Sequence, residues 1–325
     1  MATKEIIDLA PQGDVILLCG VPGSEGANMQ ATSSWKMHDT IMLISIRRIR
    51  VSSHIMSSGS PVFKALFNPD KFHEGTTLAT ESKVEVPFPE DDPYYMSILC
   101  SILHTRHDMV PKFTTTPMKE FAKLCDKYDC GLVVKPFLDQ DIMANLPNTS
   151  ASRLLEYLEI VVTLRYSEAI ERIATLLVYH STKPLISRLH GRDPLELDAL
   201  LAVIEITRLR ARREIVIQID SVIDDLSTQG WACLEMDRSC KATIERTFSL
   251  MEQLKEDRLR SETEGCSLDD MLRSMESVRL YDPFGLEDCV NGCEDAKGLS
   301  QYDMKFYRKA DQIRMLVKGT RFSMV

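Results

Sequence analysis

The stretch from Ile49 to Phe67, IRVSSHIMSSGSPVFKALF, constrains the fold more than any other part of the chain. It opens with alternating apolar and polar residues, which is the period of two that a half-buried strand needs. The pattern becomes helical at His54. A second short helix is predicted to begin at Ser60-Pro61, because serine is a favourable N-cap and proline fits the first helical position. A strand that leads into two short helices indicates a fold of mixed α and β structure.

The second helix presents one apolar face, formed at helical spacing by Val62, Phe63, Leu66 and Phe67. The order of strand, His54, short helix, Ser60 and Phe63 resembles the signature of the BTB/POZ domain, a protein-interaction module. The residues of the stretch are most similar to fungal members of that family, whose functions are uncharacterised. The resemblance implies an α+β domain with a short sheet and a cluster of helices.

The resemblance covers residues 13–143 in the family's order of elements. A strand at Gly13–Cys19 opens with Asp14 and a valine, as the first strand of the family does. Residues 20–40 are rich in glycine, serine, alanine and asparagine, which favours a flexible loop inserted before the next strand. Residues 1–12 are expected to be a flexible N-terminus.

Later segments continue the resemblance. A strand is predicted at Lys83–Phe88, and Pro87 is expected to weaken or end it. A helix is predicted to begin at Asp92-Pro93. The segment Lys123–Cys130, KLCDKYDC, is similar to the end of the family's fourth helix, and the similarity includes Tyr128.

The remainder of the chain has a different character. Residues 144–150 have few apolar anchors and are predicted to be a linker. Residues 151–325 are almost wholly helical in pattern and form a predicted all-α C-terminal domain. Asp193-Pro194-Leu195-Glu196 is a capping box. The chain from Leu195 to Gln229 contains neither glycine nor proline, which permits one helix of about 50 Å, with a broken helix as the alternative.

Length and composition exclude several classes of protein. A chain of 325 residues is long enough for roughly two domains. The formal net charge of -9 disfavours binding to nucleic acid, and no apolar run approaches the roughly 18 residues of a membrane span. The first residues lack the pattern of a secretory signal, so the nine cysteines are expected to be reduced, in the cytosol or the nucleus.

Phe72 and Glu74 are the candidate protein-interaction residues. They lie in a predicted polar loop between the Phe67 helix and the Lys83 strand. Some BTB domains recruit a cullin ubiquitin-ligase scaffold through a hydrophobic–x–Glu triplet in that loop, so the resemblance makes a cullin a candidate partner. The alternative interpretation is that Phe72 anchors the core and Glu74 is a solvated loop charge.

Two further signature residues have structural interpretations. His54 is expected to be a core residue whose ring nitrogens bond to backbone groups. In the BTB domains of zinc-finger transcription factors, the residue that matches Asp14 pairs with a basic residue next to the signature histidine, in a charged pocket at the dimer interface. Ile55 occupies that position here. Asp14 is therefore expected to cap a turn or stay hydrated, and a homodimer would form through other contacts.

No cofactor or metal site is expected. Three pairs of cysteines are close in the sequence, but none has C-x-x-C spacing: Cys125/Cys130, Cys233/Cys240 and Cys289/Cys293. Isolated buried thiols are the favoured interpretation, with a composite site of Cys233, Cys240 and Cys266 as the alternative. His104 and His107 are interpreted as surface residues.

Two basic runs are present, Arg47-Arg48-x-Arg50 and Arg208-x-Arg210-x-Arg212-Arg213. The second is interpreted as the solvated, salt-bridged face of a helix. A nuclear-import signal or a contact with an acidic partner is the alternative. No element that could read DNA is recognisable.

The sequence therefore predicts a non-enzymatic protein-interaction module, since no local signature of a catalytic site is present. The first hypothesis is a dimerisation or adaptor protein that serves a cullin ubiquitin ligase. The second is a self-associating nuclear scaffold or transcription-related cofactor. The third, an enzyme or metal-binding protein, is motivated only by the cysteine pairs.

Overall fold

The computed structural model describes most of the chain: residues 6–20, 47–146, 149–185, 195–228, 252–256, 265–277 and 296–322. The loop predicted at residues 20–40 lies outside the described residues, apart from Gly20. The chain divides into two compact units. The first unit comprises Met1–Asn148 and Glu159–Tyr166, and the second comprises Thr149–Leu158 and Ser167–Val325. The domain borders predicted on either side of residues 144–150 stay predictions.

The described residues of the first unit contain a four-stranded sheet with the strand order β1-β3-β2-β4. Its strands are β1 (Ile6–Asp8), β2 (Val15–Cys19), β3 (Arg47–Val51) and β4 (Val84–Phe88). β2 and β3 are antiparallel, whereas β1 is parallel to β3 and β4 is parallel to β2. Val15, Leu17 and Cys19 are fully buried and their neighbours are not, so one face of the sheet covers the core.

The prediction of a flexible N-terminus through residue 12 is wrong for β1. Ile7 pairs with Ile49 of the central strand β3, and the Leu9 amide donates to the Arg50 carbonyl at 3.1 Å. Arg50 Nη1 also bonds to Asp8 at 2.9 Å. The segment is too short for its periodicity to be recognised, and it becomes a strand only because β3 offers it an edge.

β4 does not end at Pro87, which corrects the sequence prediction. The Val84 amide donates to the Asp14 carbonyl at 3.0 Å, and the Phe88 carbonyl accepts from Gly20 at 3.2 Å. Alternate residues of a parallel strand face the same neighbour, so Val84 and Phe88 bond towards β2 while Pro87 faces away. The missing N–H of Pro87 therefore lies on the outer edge, where it removes no bond of the sheet.

Six α-helices lie wholly in the first unit among the described residues, three between β3 and β4 and three after β4: α1 (Ser53–Gly59), α2 (Pro61–Leu66), α3 (His73–Glu81), α4 (Pro93–Leu103), α5 (Thr115–Lys127) and α6 (Gly131–Asn145). α4 begins at the predicted position, where the Asp92 carboxylate accepts from the amides of Tyr94 and Tyr95. Every residue from Met96 to Leu103 is buried. A helix that is buried on all sides forms the centre of its domain, and α4 contacts α1, α5, α6 and β3.

The described residues of the second half include the helices α7 (Ala151–Thr163), α8 (Ser167–His180), α9 (Leu195–Thr228), α10 (Leu268–Ser277) and α11 (Ala296–Gly319), and residues 252–256 are also helical. α7 contributes residues to both units. α9 is one continuous helix of 34 residues, which confirms the prediction for this part of the chain. The proposed capping residues Asp193 and Pro194 lie outside the described residues. Within the described residues, no helix combines the length and the apolarity that crossing a membrane requires.

A buried ion pair joins α9 to the chain after α8. Arg208 donates to both carboxylate oxygens of Glu205, at 2.6 and 3.1 Å, and both residues are only 3% exposed. The same carboxylate accepts from the Leu185 amide at 3.2 Å, and Arg208 also bonds to the Ser181 carbonyl. The interpretation of this basic run as a solvated face is therefore wrong for Arg208. Arg210 and Arg213 lie on the exposed side of the helix.

We expect Arg208→Met to destabilise the second unit by about 3–5 kcal/mol, because the Glu205 carboxylate would stay buried without its cation. Arg210→Met, on the exposed side of the same helix, should change the free energy of unfolding by less than about 0.5 kcal/mol. Urea denaturation of the full chain, followed by circular dichroism, measures both changes. Equal stability of the two variants would contradict the role of the pair.

Candidate functional site

The structure brings four of the signature residues together in the core of the first unit. The ring of Phe63 stacks on Tyr128 with centroids 4.6 Å apart and on Phe67 at 6.0 Å. Phe88 meets both Phe63 and Tyr128 edge-on. Ser60 caps α2 by accepting from the Phe63 amide at 3.1 Å, and it donates to the Tyr128 carbonyl at 2.6 Å. These residues hold α2 against the end of α5.

Asp91 completes this core, although the sequence analysis did not single it out. The Tyr128 hydroxyl donates to Asp91 Oδ2 at 2.5 Å, and Lys127 Nζ lies 2.7 Å from the other carboxylate oxygen. Burial, followed by the hydrogen bond to Asp91, raises the pKa of Tyr128 well above its ordinary range. The phenol therefore remains a proton donor that fixes structure. The only sequence signal for the role of Asp91 was the position of this acid immediately before the N-cap residue of α4.

The thiols of the first unit are buried and unreactive. Cys19, Cys100, Cys125 and Cys130 are all free. Burial raises the pKa of Cys19 to about 12 and that of Cys130 to about 11, and it raises the pKa values of the other two thiols strongly. Such cysteines stay protonated and behave as small apolar side chains.

The composite cysteine site cannot be traced within the described residues and stays a hypothesis. Across the described parts of the chain, no group of three or more histidine, cysteine or acidic side chains could hold a metal ion. Of the three cysteines named for that site, Cys266 is half-buried, and its sulfur lies 3.6 Å from the Ser267 carbonyl. The other two, Cys233 and Cys240, lie outside the described residues, as do Cys289 and Cys293.

For two histidines the predictions of burial and exposure are wrong, and each has the environment predicted for the other. His54 is exposed on α1, and no described residue bonds to its ring. His104, predicted at the surface, is only 7% exposed at the end of α4. Its Nε2 accepts from the Ser52 amide at 3.0 Å, and its Nδ1 lies 2.9 Å from the Cys100 carbonyl, so Nδ1 carries the proton. His107 is exposed, as predicted.

Asp14 acts as a cap for α1. Its Oδ1 accepts from the Ser53 amide at 2.7 Å, and its Oδ2 accepts from the Ser53 hydroxyl at 2.6 Å. Both bonds lie at the positive end of the helix dipole, which stabilises a carboxylate. Ile55, in the first turn of α1, is 37% exposed. Asp14 and residue 55 therefore form no charged pocket.

Phe72 and Glu74 lie at the start of a helix and not in the polar loop that the sequence predicted. Phe72 is the N-cap residue of α3, and Glu74 lies in the first turn. Phe72 is 48% exposed, so the alternative interpretation of this residue as a core anchor is wrong. Glu74 is half-buried. We call residues 68–76 the α3 corner.

Internal bonds fix the backbone of the α3 corner. The Asn68 side chain accepts from the Asp70 amide at 2.9 Å, and the Thr76 hydroxyl donates to the Pro69 carbonyl at 2.8 Å. Gly75 is buried, and a Cβ atom there would lie 2.3 Å from the Asn68 carbonyl oxygen. Only glycine permits this approach of two backbone segments. The corner therefore displays Phe72 from a rigid support.

A groove of about 970 Å³ runs beside the α3 corner, between α3, β4 and the turn before β2. Four carboxylate residues line it, namely Asp14, Glu74, Glu81 and Glu85, against the two cations of Arg50 and Lys83. Two of these six are already paired, Arg50 with Asp8 on β1 and Glu85 with Arg48 on β3, which leaves three carboxylates against Lys83. The groove is therefore predominantly acidic and open, which suits the side chains of a protein partner better than a small apolar ligand.

A family model described as BTB/POZ domain matches residues 28–137, which are 110 of the 325 residues. The matched segment begins after β2 and ends within α6. The chain therefore contains a BTB/POZ domain, and the predicted α+β fold with a helical C-terminal part is confirmed. No curated protein and no solved structure matches the chain. The similarity to fungal members of the family stays a prediction.

Burial lowers the pKa of His104 below the ordinary value of about 6.5, and the bond to Cys100 opposes this only in part. The unfolded chain thus binds a proton at a pH where the folded ring is still neutral. The contribution of the neutral His104 ring to the free energy of unfolding is therefore complete above about pH 6.5, and it is lost as the pH falls through the lowered pKa of the folded state. We expect His104→Gln to flatten this dependence in urea denaturation between about pH 7 and 5, and exposed His54→Gln to preserve it. Parallel profiles for the two variants would contradict the assignment.

Proposed function

We propose that this chain is a non-enzymatic adaptor whose BTB/POZ domain binds a protein partner through the α3 corner. BTB/POZ domains are protein-interaction modules, and the exposed aromatic ring of Phe72 on a fixed support is the observation that carries the proposal. The four buried, unpaired thiols of the first unit fit a reducing compartment, so we place the protein in the cytosol or the nucleus.

The energetics of such a contact follow from the geometry of the corner. An aromatic side chain that becomes fully covered is a frequent hot spot. Its large apolar area is removed from water, and only a few side-chain torsions lose their freedom. The bonds of Asn68 and Thr76 order the backbone in advance, so binding loses little conformational entropy. Glu74 adds a carboxylate beside the anchor, which favours a partner with a basic rim.

A cullin ubiquitin-ligase scaffold is the partner class that we propose for this surface. Phe72-His73-Glu74 matches the hydrophobic–x–Glu triplet through which some BTB domains recruit cullins, and the triplet lies at the N-terminus of α3. Under this proposal the second unit holds the substrate that the ligase modifies.

We expect Phe72→Ala combined with Glu74→Ala to reduce co-purification of a cullin with the full chain by about tenfold or more, the size expected for a hot spot. The matched control combines Leu132→Ala with Glu120→Ala, an exposed aliphatic and an exposed acid elsewhere in the first unit. Pull-down from purified components measures both. Undiminished recovery of the cullin with the corner variant would exclude this triplet as the contact.

Self-association without a ligase is a second candidate function, as a nuclear scaffold or transcription-related cofactor. Ile55 on α1 and Val62 on α2 are 37% and 39% exposed, and Ile6 is exposed on the outer strand β1. Aliphatic residues on two consecutive helices offer a second copy an apolar contact that does not involve the α3 corner.

If the protein self-associates in this way, light scattering at micromolar concentration should give about twice the mass of the chain, which is 36.9 kDa. Ile55→Glu with Val62→Glu should restore the monomer mass, because each chain would bring two carboxylates into the buried contact. Met315→Glu, at a position 73% exposed on α11, is the control and should leave the mass unchanged. A monomeric wild-type protein would count against this candidate.

A further inference from the structure

The solvent side of α9 is more apolar than the outer side of a helix usually is. Four aliphatic residues there are exposed: Ile206 (65%), Leu209 (53%), Ile217 (49%) and Val203 (40%). They are additional to the core face of the same helix, where Ile204, Ala211 and Ile215 are fully buried. A contiguous group of exposed apolar residues marks an interaction site more often than single, scattered exposed residues do.

These aliphatic residues form a single stripe together with two arginines. At about 100° per residue, Val203, Ile206, Leu209, Arg210, Arg213 and Ile217 fall within an arc of about 120° on the helix surface. Their spacing of three and four residues keeps them in line over about 21 Å, which is close to four helical turns. We call these six residues the α9 stripe.

Neither arginine of the α9 stripe is bound to a carboxylate among the described residues, although both, after the hydrogen bond from Lys309, lower the pKa of the nearby Glu214 by their charge. Arg210 and Arg213 are exposed and form no hydrogen bond or ion pair there. The acid that follows them, Glu214, is bound to Lys309 of α11 at 2.8 Å. The other arginines of the run are used in the fold, since Arg208 pairs with Glu205 and Arg212 donates to the Cys266 carbonyl. Two exposed positive charges without a bonded counterion therefore lie within an apolar surface.

We propose that the α9 stripe docks an acidic amphipathic helix of a partner protein. Apolar side chains at every third or fourth position of that helix would cover Val203, Ile206 and Ile217. Aspartate or glutamate residues at the border of its apolar face would pair with Arg210 and Arg213. The length of the stripe fits a partner helix of about four turns.

The charges argue for an acidic partner over a second copy of the chain. Two copies of the α9 stripe that pair side by side, either in parallel register or about the middle of the stripe, bring Arg210 and Arg213 of both chains together. Like charges at a contact that excludes water oppose association. An oppositely charged helix removes that repulsion and supplies the missing counterions.

The test uses the full chain and three fluorescein-labelled peptides of about 18 residues. The first carries leucine at amphipathic spacing with glutamate at the borders, the second replaces each glutamate by lysine, and the third scatters the same leucines around the helix. We expect fluorescence anisotropy to show the first peptide binding at least about tenfold more tightly than the other two.

Two variants and a control locate the binding site. Arg210→Glu with Arg213→Glu should reverse the preference between the acidic and the lysine peptides. Ile206→Ser with Leu209→Ser should weaken the acidic peptide at least about tenfold. Met315→Ser, an exposed apolar position on α11, should leave binding unchanged. All three changes lie at exposed positions, and circular dichroism verifies that the helix content is retained.

Several outcomes would overturn the proposal. They include equal affinity for the acidic and lysine peptides, and no binding of the acidic peptide at about 1 mM. Binding only to phosphatidylserine vesicles, lost with Ile206→Ser and Leu209→Ser, would assign the stripe to lipid. A dimer mass that the same variant abolishes would assign it to a second copy. The Phe72→Ala and Glu74→Ala variant should bind the acidic peptide normally, so this test is independent of the α3 corner.

Discussion

The stacked contact between Phe63 and Tyr128 is the interaction on which the first unit depends. It joins α2 to the end of α5, and Phe88 brings the last residue of β4 to the same point. Ser60 and Asp91 satisfy the polar atoms at its two sides, so a large aromatic cluster is buried without an unmatched donor. Helices and sheet are thereby held together at one place, and the α3 corner is left free to face solvent.

Local signals were sufficient to predict most of the elements. Alternation before His54, the serine and proline at Ser60-Pro61 and the cap at Asp92 each specify a nearby backbone conformation, and the structure has those elements there. The length of α9 followed from the lack of glycine and proline. Each of these signals acts over a few residues, where propensity and capping dominate.

What could not be predicted is which side of an element is covered. His104 is buried because it ends the central helix α4, whereas His54 faces solvent on a short helix at the surface. Arg208 is inside because Glu205 and the carbonyl of Ser181, 27 residues away, surround it. For the candidate site, the sequence identified Phe72 and Glu74 but not the helix at whose start they lie. The exposure of Phe72 depends on a helix whose start requires the close approach at Gly75.

The position of Pro87 limits the ways in which a partner can recognise this domain. A peptide that adds itself to a sheet as a further strand needs a regular row of amide donors along the edge. β4 lies at one edge, and Pro87 interrupts its outward row where an incoming strand would need to pair. Backbone pairing accepts almost any sequence, so its exclusion on this side makes recognition depend on side chains. A partner that binds beside β4 is therefore recognised through its side chains, because an extended segment of arbitrary sequence cannot pair with this edge as a further strand.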